Sequence, residues 1–130
     1  MFDFSQSSPA DLLQAMQHGA GGLWEVEAAV WLLERHGVWL HDLQLRPYID
    51  GGVGDDGVVW AGLDPKRVGA AIESGELGEW GGEDLTVLRF ILSLWGDYPI
   101  GLRFLCVNLS EEAVELMGKA LLLANGYDLR

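Results

Sequence analysis

Two histidines and a neighbouring carboxylate have the most direct catalytic potential in this sequence. His36 and His41 are five residues apart, and Asp42 follows His41. A zinc-binding helix needs two histidines four residues apart with a glutamate after the first, and Gly37 interrupts the helix here. His36 is instead predicted to interact with the negative end of its own helix. His41 and Asp42 could instead form an imidazole–carboxylate pair at the active site of a small enzyme. The sequence indicates no nucleophile beside them.

The segment from Asp50 to Gly57, DGGVGDDG, matches two ligand-binding patterns only in part. It contains G-x-G-x-x-G, but a phosphate-binding loop needs a strand before it, a helix after it and no carboxylate facing the phosphate. Here Asp55 and Asp56 occupy the variable positions of the motif. Its aspartates are calcium-type ligands, yet an EF-hand loop has oxygen ligands at alternate positions and a closing glutamate. We therefore predict a loop that holds no metal and no cofactor.

The single cysteine, Cys106, lies in an apolar run from Leu102 to Val107. Apolar neighbours predict a buried thiol of low reactivity, and a lone cysteine excludes an internal disulfide. Asn108-Leu109-Ser110 fits the glycosylation pattern. Because the first residues show neither a basic region nor a long apolar run, no secretion signal is predicted, and Ser110 is interpreted as a helix cap.

Charge is the strongest global feature of the chain. Twenty Asp and Glu residues outnumber eight Lys and Arg residues, which gives a formal net charge of −12 at pH 7. Such a chain repels phosphate, so direct binding to nucleic acid or to an anionic membrane is disfavoured. A basic surface on another protein is the complementary partner, and surplus carboxylates would speed its capture. An acidic surface that only keeps the protein soluble is the alternative interpretation.

Six tryptophans occur in 130 residues, and most are expected in the core. Trp80 differs because it lies in a glycine-rich stretch within a segment, Glu73 to Asp84, that has five acids and no base. Trp31 also stands beside charged residues on its helix. Aromatic side chains in a charged rim are typical of protein-binding hot spots, although Trp80 could instead cover the core. The predicted partner-binding residues are Trp31, Asp55, Asp56, Glu73, Glu76, Glu79, Trp80, Glu83 and Asp84.

Helix starts and stops divide the chain into helical segments. Ser8, Asp64 and Ser110 are predicted N-caps, and a glycine follows each predicted helix except the last, which ends at Asn125-Gly126. The predicted helices cover residues 9–18, 23–36, 65–74, 83–95 and 111–124. Their core stripes are Leu23, Val26, Val30 and Leu33; Leu85, Leu88, Leu92 and Trp95; and Val114, Met117, Leu121 and Ala124.

The sequence predicts one mainly helical domain over residues 1–130, a compact array of four to six helices. Val58-Val59-Trp60 is either a small β element or a buried segment. Residues 38–49 and 101–109 are compatible with extended chain or with short helix. No apolar stretch reaches about 18 residues, so no membrane span is expected, and a cytoplasmic location is predicted.

Three segments resemble one family. Val26 to His41 ends in HGVWLH, residues 76–94 read ELGEWGGEDLTVLRFILSL, and residues 120–126 read ALLLANG. These segments resemble small uncharacterised acidic proteins of actinobacteria. The resemblance implies a bacterial cytoplasmic protein and carries no activity or functional residue.

Three classes of function follow from the sequence. The first is a non-enzymatic acidic module that binds or inhibits a protein through its basic surface, as immunity proteins, antitoxins and phage-type DNA mimics do. The second is a small enzyme that uses His41 and Asp42, or the loop with Asp55 and Asp56. The third is a self-associating structural protein whose apolar residues form a homodimer face.

Overall fold

The computed structural model describes residues 2–77 and 82–128. Within these ranges it consists of five α-helices and a two-stranded antiparallel hairpin, which confirms the mainly helical fold and the small β element near Val58–Trp60. Three short 3-10 helices cover Trp39–His41, Arg46–Tyr48 and Leu102–Cys106. The longer elements are α1 (Pro9–Ala20), α2 (Trp24–His36), β1 (Ile49–Val53), β2 (Val59–Leu63), α3 (Pro65–Ser74), α4 (Gly82–Trp95) and α5 (Glu111–Ala124).

Capping side chains fix the starts of α1, α3 and α5, as predicted. Ser8 and Ser110 each accept a hydrogen bond from the backbone N–H three residues later, at 3.1 Å. Asp64 accepts from the backbone N–H two residues later, at 3.0 Å. Gly37 and Gly75 end α2 and α3 in the left-handed conformation that glycine adopts without strain. Local chemistry therefore sets these boundaries.

The prediction that Gly19 ends α1 near His18 is wrong. The helix continues to Ala20, and Gly21 is the left-handed residue after it, with φ 60°. Gly19 remains helical because β2 passes close to this turn: a Cβ atom on it would collide with the carbonyl group of Ala61. This glycine serves close packing between a helix and a strand.

The prediction of a loop from Asp50 to Gly57 is also wrong in its first half. Residues 49–53 form β1, which pairs with β2 from Ile49 opposite Leu63 to Val53 opposite Val59. A Cβ atom on Gly51 would collide with the ring of Phe4 and with a backbone carbonyl of β2. The glycines that indicate a loop in the sequence instead make room for a buried ring beneath the hairpin.

The apolar core lies between α1, α2, α4 and the hairpin. In α2, Val26, Val30 and Leu33 are buried as predicted, but Leu23 is exposed because it is the N-cap residue that precedes the helix. In α4, Leu88 and Leu92 are buried and the two ends of the predicted stripe are partly buried. Trp39 is fully buried, and its indole N–H donates to the carbonyl of Asp84 at 3.1 Å.

The prediction for the core face of α5 is confirmed at Met117 and wrong at Val114 and Leu121. Val114 and Leu121 are exposed, whereas Ala113, Met117 and Ala120 are buried. Among the described elements, α5 has its most extensive contact with α2. Small buried side chains allow two helices to approach closely, and α5 turns two alanines inward beside Met117.

A buried arginine organises residues 38–49, for which the sequence is compatible with both extended chain and short helix. Arg46 donates from Nη1 to the carbonyls of Phe4 at 2.9 Å and Ser7 at 2.6 Å, and from Nη2 to that of Leu40 at 2.9 Å. Burial lowers the pKa of Arg46. Residues 38–49 form two 3-10 turns, and this guanidinium ties them to the N-terminal segment.

The segment before α5 is a 3-10 helix whose five residues include none that is buried. The prediction that Cys106 is buried is wrong, because its thiol is exposed and donates to the carbonyl of Leu102 at 3.5 Å. Only Leu105 of this helix is partly buried. The apolar run is thus at the surface.

Candidate functional site

An open groove of about 310 Å³ lies along α2. Four of its residues follow one another on α2 at spacings of three and four, which places them on one helix face. One residue of α1 and one of α5 contribute to its walls. We call this site the tryptophan groove, and the residues that define it are Gln17, Trp24, Glu27, Trp31, Glu34 and Leu123.

Trp24 forms one end of the groove and is 59% exposed. Its ring lies against Gly126, the left-handed residue after α5, where a Cβ atom would collide with the indole. Trp24 is not among the predicted partner-binding residues, because its position next to Leu23 in the predicted core stripe favours burial. The signal that could have identified it is its spacing of seven residues from Trp31, which repeats one helix face.

Trp31 is partly buried and was predicted as a partner-binding residue. The guanidinium carbon of Arg35 lies 5.6 Å from the centroid of its ring, which is a cation–π contact between residues four apart on α2. The indole therefore already accepts a cation from its own helix. The same chemistry is open to a cation from another molecule.

Two exposed carboxylates, Glu27 and Glu34, accompany the tryptophans. No lysine or arginine lines the groove, and neither carboxylate forms an ion pair within residues 2–77 and 82–128. The groove thus combines aromatic faces with unpaired negative charge.

A smaller cavity of about 200 Å³ lies where the end of α2 meets the starts of α4 and α5. His36 lines it with only 9% of its side chain exposed, and its Nε2 lies 3.1 Å from Oδ1 of Asp84. The predicted interaction of His36 with the end of its own helix stays a prediction: His36 lies in the last turn of α2, and the partner of its Nε2 belongs to α4. Its buried Nδ1 has no hydrogen-bond partner in the part of the chain that the structure describes.

Glu83 joins α4 to the start of α5 in the same cavity. Its carboxylate accepts a hydrogen bond from the backbone N–H of Ser110, and this bond lowers the pKa of Glu83. Glu112 contributes a further carboxylate to the lining. No group of three or more His, Cys, Asp or Glu residues in the described ranges is arranged to hold a metal ion.

The other predicted acids lie on separate elements. Asp55 is exposed in the hairpin turn, and Asp56 lies 3.2 Å from Nε2 of His18. Glu73 is exposed on α3, while Glu76 accepts a hydrogen bond from the hydroxyl of Tyr48 at 2.9 Å.

None of these four acids lines the two cavities described above. The structure therefore brings together Glu83 and Asp84 of the predicted set, and it places Trp31 in a different site. The predicted partner-binding residues Glu79 and Trp80 lie outside the described residues.

The proposed enzymatic pair of His41 and Asp42 is not joined by a hydrogen bond. His41 is exposed, and Asp42 accepts from the backbone N–H of Gln44 at 2.7 Å. Neither residue lines the tryptophan groove or the cavity at His36.

No family model, curated protein or solved structure matches this chain. Among the described residues, no helix has the length and apolar character needed to cross a membrane.

Proposed function

We propose that this protein is a non-enzymatic module that binds a basic surface of another protein, with the tryptophan groove receiving a cationic side chain. One observation carries the proposal: Trp24, Glu27, Trp31 and Glu34 alternate aromatic and acidic groups along one face of α2. Among the described residues no base lines the groove, and Arg35 contacts only the Trp31 ring. Inhibitors of basic toxins or nucleases, such as immunity proteins, antitoxins or DNA mimics, are the subclass that the net charge favours.

The chemistry of the groove favours arginine over lysine. A guanidinium is planar, stacks on an aromatic face and donates two parallel hydrogen bonds to a carboxylate. Tryptophan offers the strongest aromatic face for a cation, and the groove has two. A partner arginine between Trp24 and Trp31 would also reach Glu27, which lies between them in the sequence.

The net charge of −12 supports the proposal through association rate. Exposed carboxylates attract a basic partner before contact, and this attraction weakens as salt screens it. The groove then supplies the contacts that hold the partner. The association rate is therefore expected to fall with added salt. Part of the affinity should resist salt, because stacking on the indoles does not depend on steering by charge.

The proposal is tested with acetylated hexa-arginine and hexa-lysine peptides and isothermal titration calorimetry. The variant Glu27→Gln/Glu34→Gln is compared with Glu25→Gln/Glu73→Gln, which changes the net charge equally at exposed positions outside the groove. We expect the groove variant to bind hexa-arginine about tenfold more weakly, because charge-assisted hydrogen bonds are lost. The control should lose less than about twofold.

Equal losses in the two double variants would show that only diffuse charge matters and would contradict the proposal. The same would follow if Trp24→Leu and Trp31→Leu left the affinity unchanged. The predicted contribution of Glu79 and Trp80 stays a prediction, and Glu79→Gln and Trp80→Leu test it in the same titration.

A further inference from the structure

Exposed apolar side chains are concentrated in the segment between α4 and α5. Leu102 is 76% exposed, and Phe104 and Val107 are each 53% exposed. Single exposed apolar residues are normal on a protein surface, but several within six consecutive residues mark a binding surface. This segment also forms one wall of a cavity.

The cavity is an open pocket of about 480 Å³ between α4 and this segment. Its lining is mostly apolar, yet in the part of the chain that the structure describes it includes two arginines and no acid. The guanidinium carbon of Arg89 lies 5.4 Å from the centroid of the Phe104 ring. We call this site the arginine pocket, defined by Gly82, Leu85, Thr86, Arg89, Arg103, Phe104, Val107 and Asn108.

Three bases outside the pocket have side-chain hydrogen-bond or ion-pair partners, whereas Arg35 and Lys66 have neither among the described residues. Arg46 donates to three carbonyls, Arg67 pairs with Asp50 at 3.0 Å, and Lys119 pairs with a glutamate one turn away. Arg89 and Arg103 form no hydrogen bond and no ion pair in residues 2–77 and 82–128.

Twenty acids are present in the chain, so unpaired arginines that share one apolar pocket are notable. Their guanidinium groups are available to an anion from outside. Since no described carboxylate lines the pocket, it is a local positive site in an acidic molecule.

We propose that the arginine pocket binds a small amphipathic anion, a molecule with an apolar acyl or aryl body and one carboxylate. The body would lie against Leu85, Phe104 and Val107, and the carboxylate would accept hydrogen bonds from Arg89 and Arg103. The volume is within the range of about 300–1,000 Å³ that is typical of small-molecule sites. A polyanion such as nucleic acid is disfavoured because the rest of the chain repels it.

The proposal is tested by titrating the protein with decanoate, decanol and decyltrimethylammonium, which share an apolar tail and differ in head-group charge. Decanoate is expected to bind at a single saturable site, about tenfold more tightly than decanol, because hydrogen bonds to a charged group contribute in this range. Decyltrimethylammonium is expected to bind no better than decanol, although the protein is acidic overall. Chemical shifts of the backbone amides of residues 102–108 locate the site.

The matched variants are Arg89→Gln/Arg103→Gln and Lys66→Gln/Lys119→Gln, which remove the same charge inside and outside the pocket. The pocket variant should lose about tenfold in decanoate affinity and nothing in decanol affinity. Phe104→Ala should weaken both ligands and, because Phe104 is half exposed, leave the fold intact. Equal losses in the two arginine and lysine variants, or decanol binding as tight as decanoate, would overturn the proposal.

A second copy of the chain is the other occupant that the experiment detects. Sedimentation of the wild type and of Phe104→Ala, without ligand, separates the two cases. If the wild type is dimeric, Phe104→Ala is monomeric and decanoate does not bind, the pocket is a self-association surface and the proposal is wrong. A monomeric wild type that binds decanoate agrees with it.

Discussion

The tryptophan groove and the arginine pocket differ in charge and in the elements that build them. The groove lies on α2, a helix with six buried residues, and carries unpaired carboxylates. The pocket has one wall on α4 and the other on the Leu102–Cys106 segment, in which no residue is buried, and carries unpaired arginines. One chain thus presents a negative aromatic site on a packed helix and a positive apolar site beside a loosely anchored segment.

The two charge patterns differ in how strongly they indicate a specific binding site. In a chain of net charge −12, carboxylates beside any groove are expected, so the aromatic faces distinguish the tryptophan groove. Two arginines in one pocket are the rarer event and need a specific reason. The packed helix also holds the groove in shape before binding, which lowers the cost of ordering it, whereas the 3-10 helix of the pocket has no buried residue to hold it.

The largest expected effect tests this contrast in packing. Leu32→Ala removes a fully buried side chain of α2 and is expected to lower the free energy of unfolding by about 2–5 kcal/mol. Leu102→Ala changes an exposed residue of the pocket segment and should stay within about 0.5 kcal/mol. Urea denaturation of both variants measures the difference. Comparable losses would mean that the Leu102–Cys106 segment is part of the cooperative core.

A smaller effect concerns Glu83, which joins the pocket helix α4 to the groove-side helix α5. Its pKa is lower in the folded chain than its ordinary value of 4.5, because its carboxylate accepts a hydrogen bond from Ser110. Its contribution to stability is therefore present above about pH 4.5 and is lost as the pH falls through the lowered pKa. Acidification should weaken the hydrogen bond that joins the start of α5 to α4.

Glu83→Gln should lower Tm by about 1–3 °C at neutral pH, a modest shift because the group is exposed to solvent. The difference from the wild type should shrink as the pH falls below about 4.5. Glu112→Gln is the control, since it removes a first-turn carboxylate of α5 in the same cavity without this hydrogen bond. Thermal scans at several pH values measure both. A difference that does not change with pH would contradict the assignment.

The sequence predicts the helices well where local chemistry decides. Ser8, Asp64 and Ser110 cap their helices, and Gly37 and Gly75 end theirs, because these interactions lie within a few residues of the chain. It fails where a distant element decides. Gly19 and Gly51 indicate a stop and a loop in the sequence, but both are glycine because β2 or Phe4 lies too close for a side chain.

The candidate sites were less predictable for the same reason. Trp31 was identified from its charged neighbours, but Trp24 depends on Gly126, about one hundred residues further along the chain. The arginine pocket gave no signal, because Arg89 and Arg103 belong to separate segments that the fold brings together. The prediction that Cys106 is buried failed since apolar composition alone does not show which segments reach the core.

The smallest expected effect tests the tryptophan groove most directly, because the chain already places a cation over one of its two indoles. Arg35 lies over the Trp31 ring, so a partner arginine must displace it or share the indole with it. Arg35→Gln uncovers the ring and should raise the affinity for hexa-arginine about two- to fivefold, the usual range of an exposed cation–π contact. Lys66→Gln makes the same change in net charge on α3 and should raise it less than about 1.5-fold.

The gain in Arg35→Gln should also disappear when Trp31→Leu is added, since there is then no indole for the loss of Arg35 to uncover. Calorimetric titration of the single and double variants gives the coupling between them. If Arg35→Gln and Lys66→Gln raise the affinity equally, the peptide responds to net charge alone. The indole of Trp31 would then be a packing residue of α2, and the groove would lose the aromatic contact that separates it from any other acidic surface of this chain.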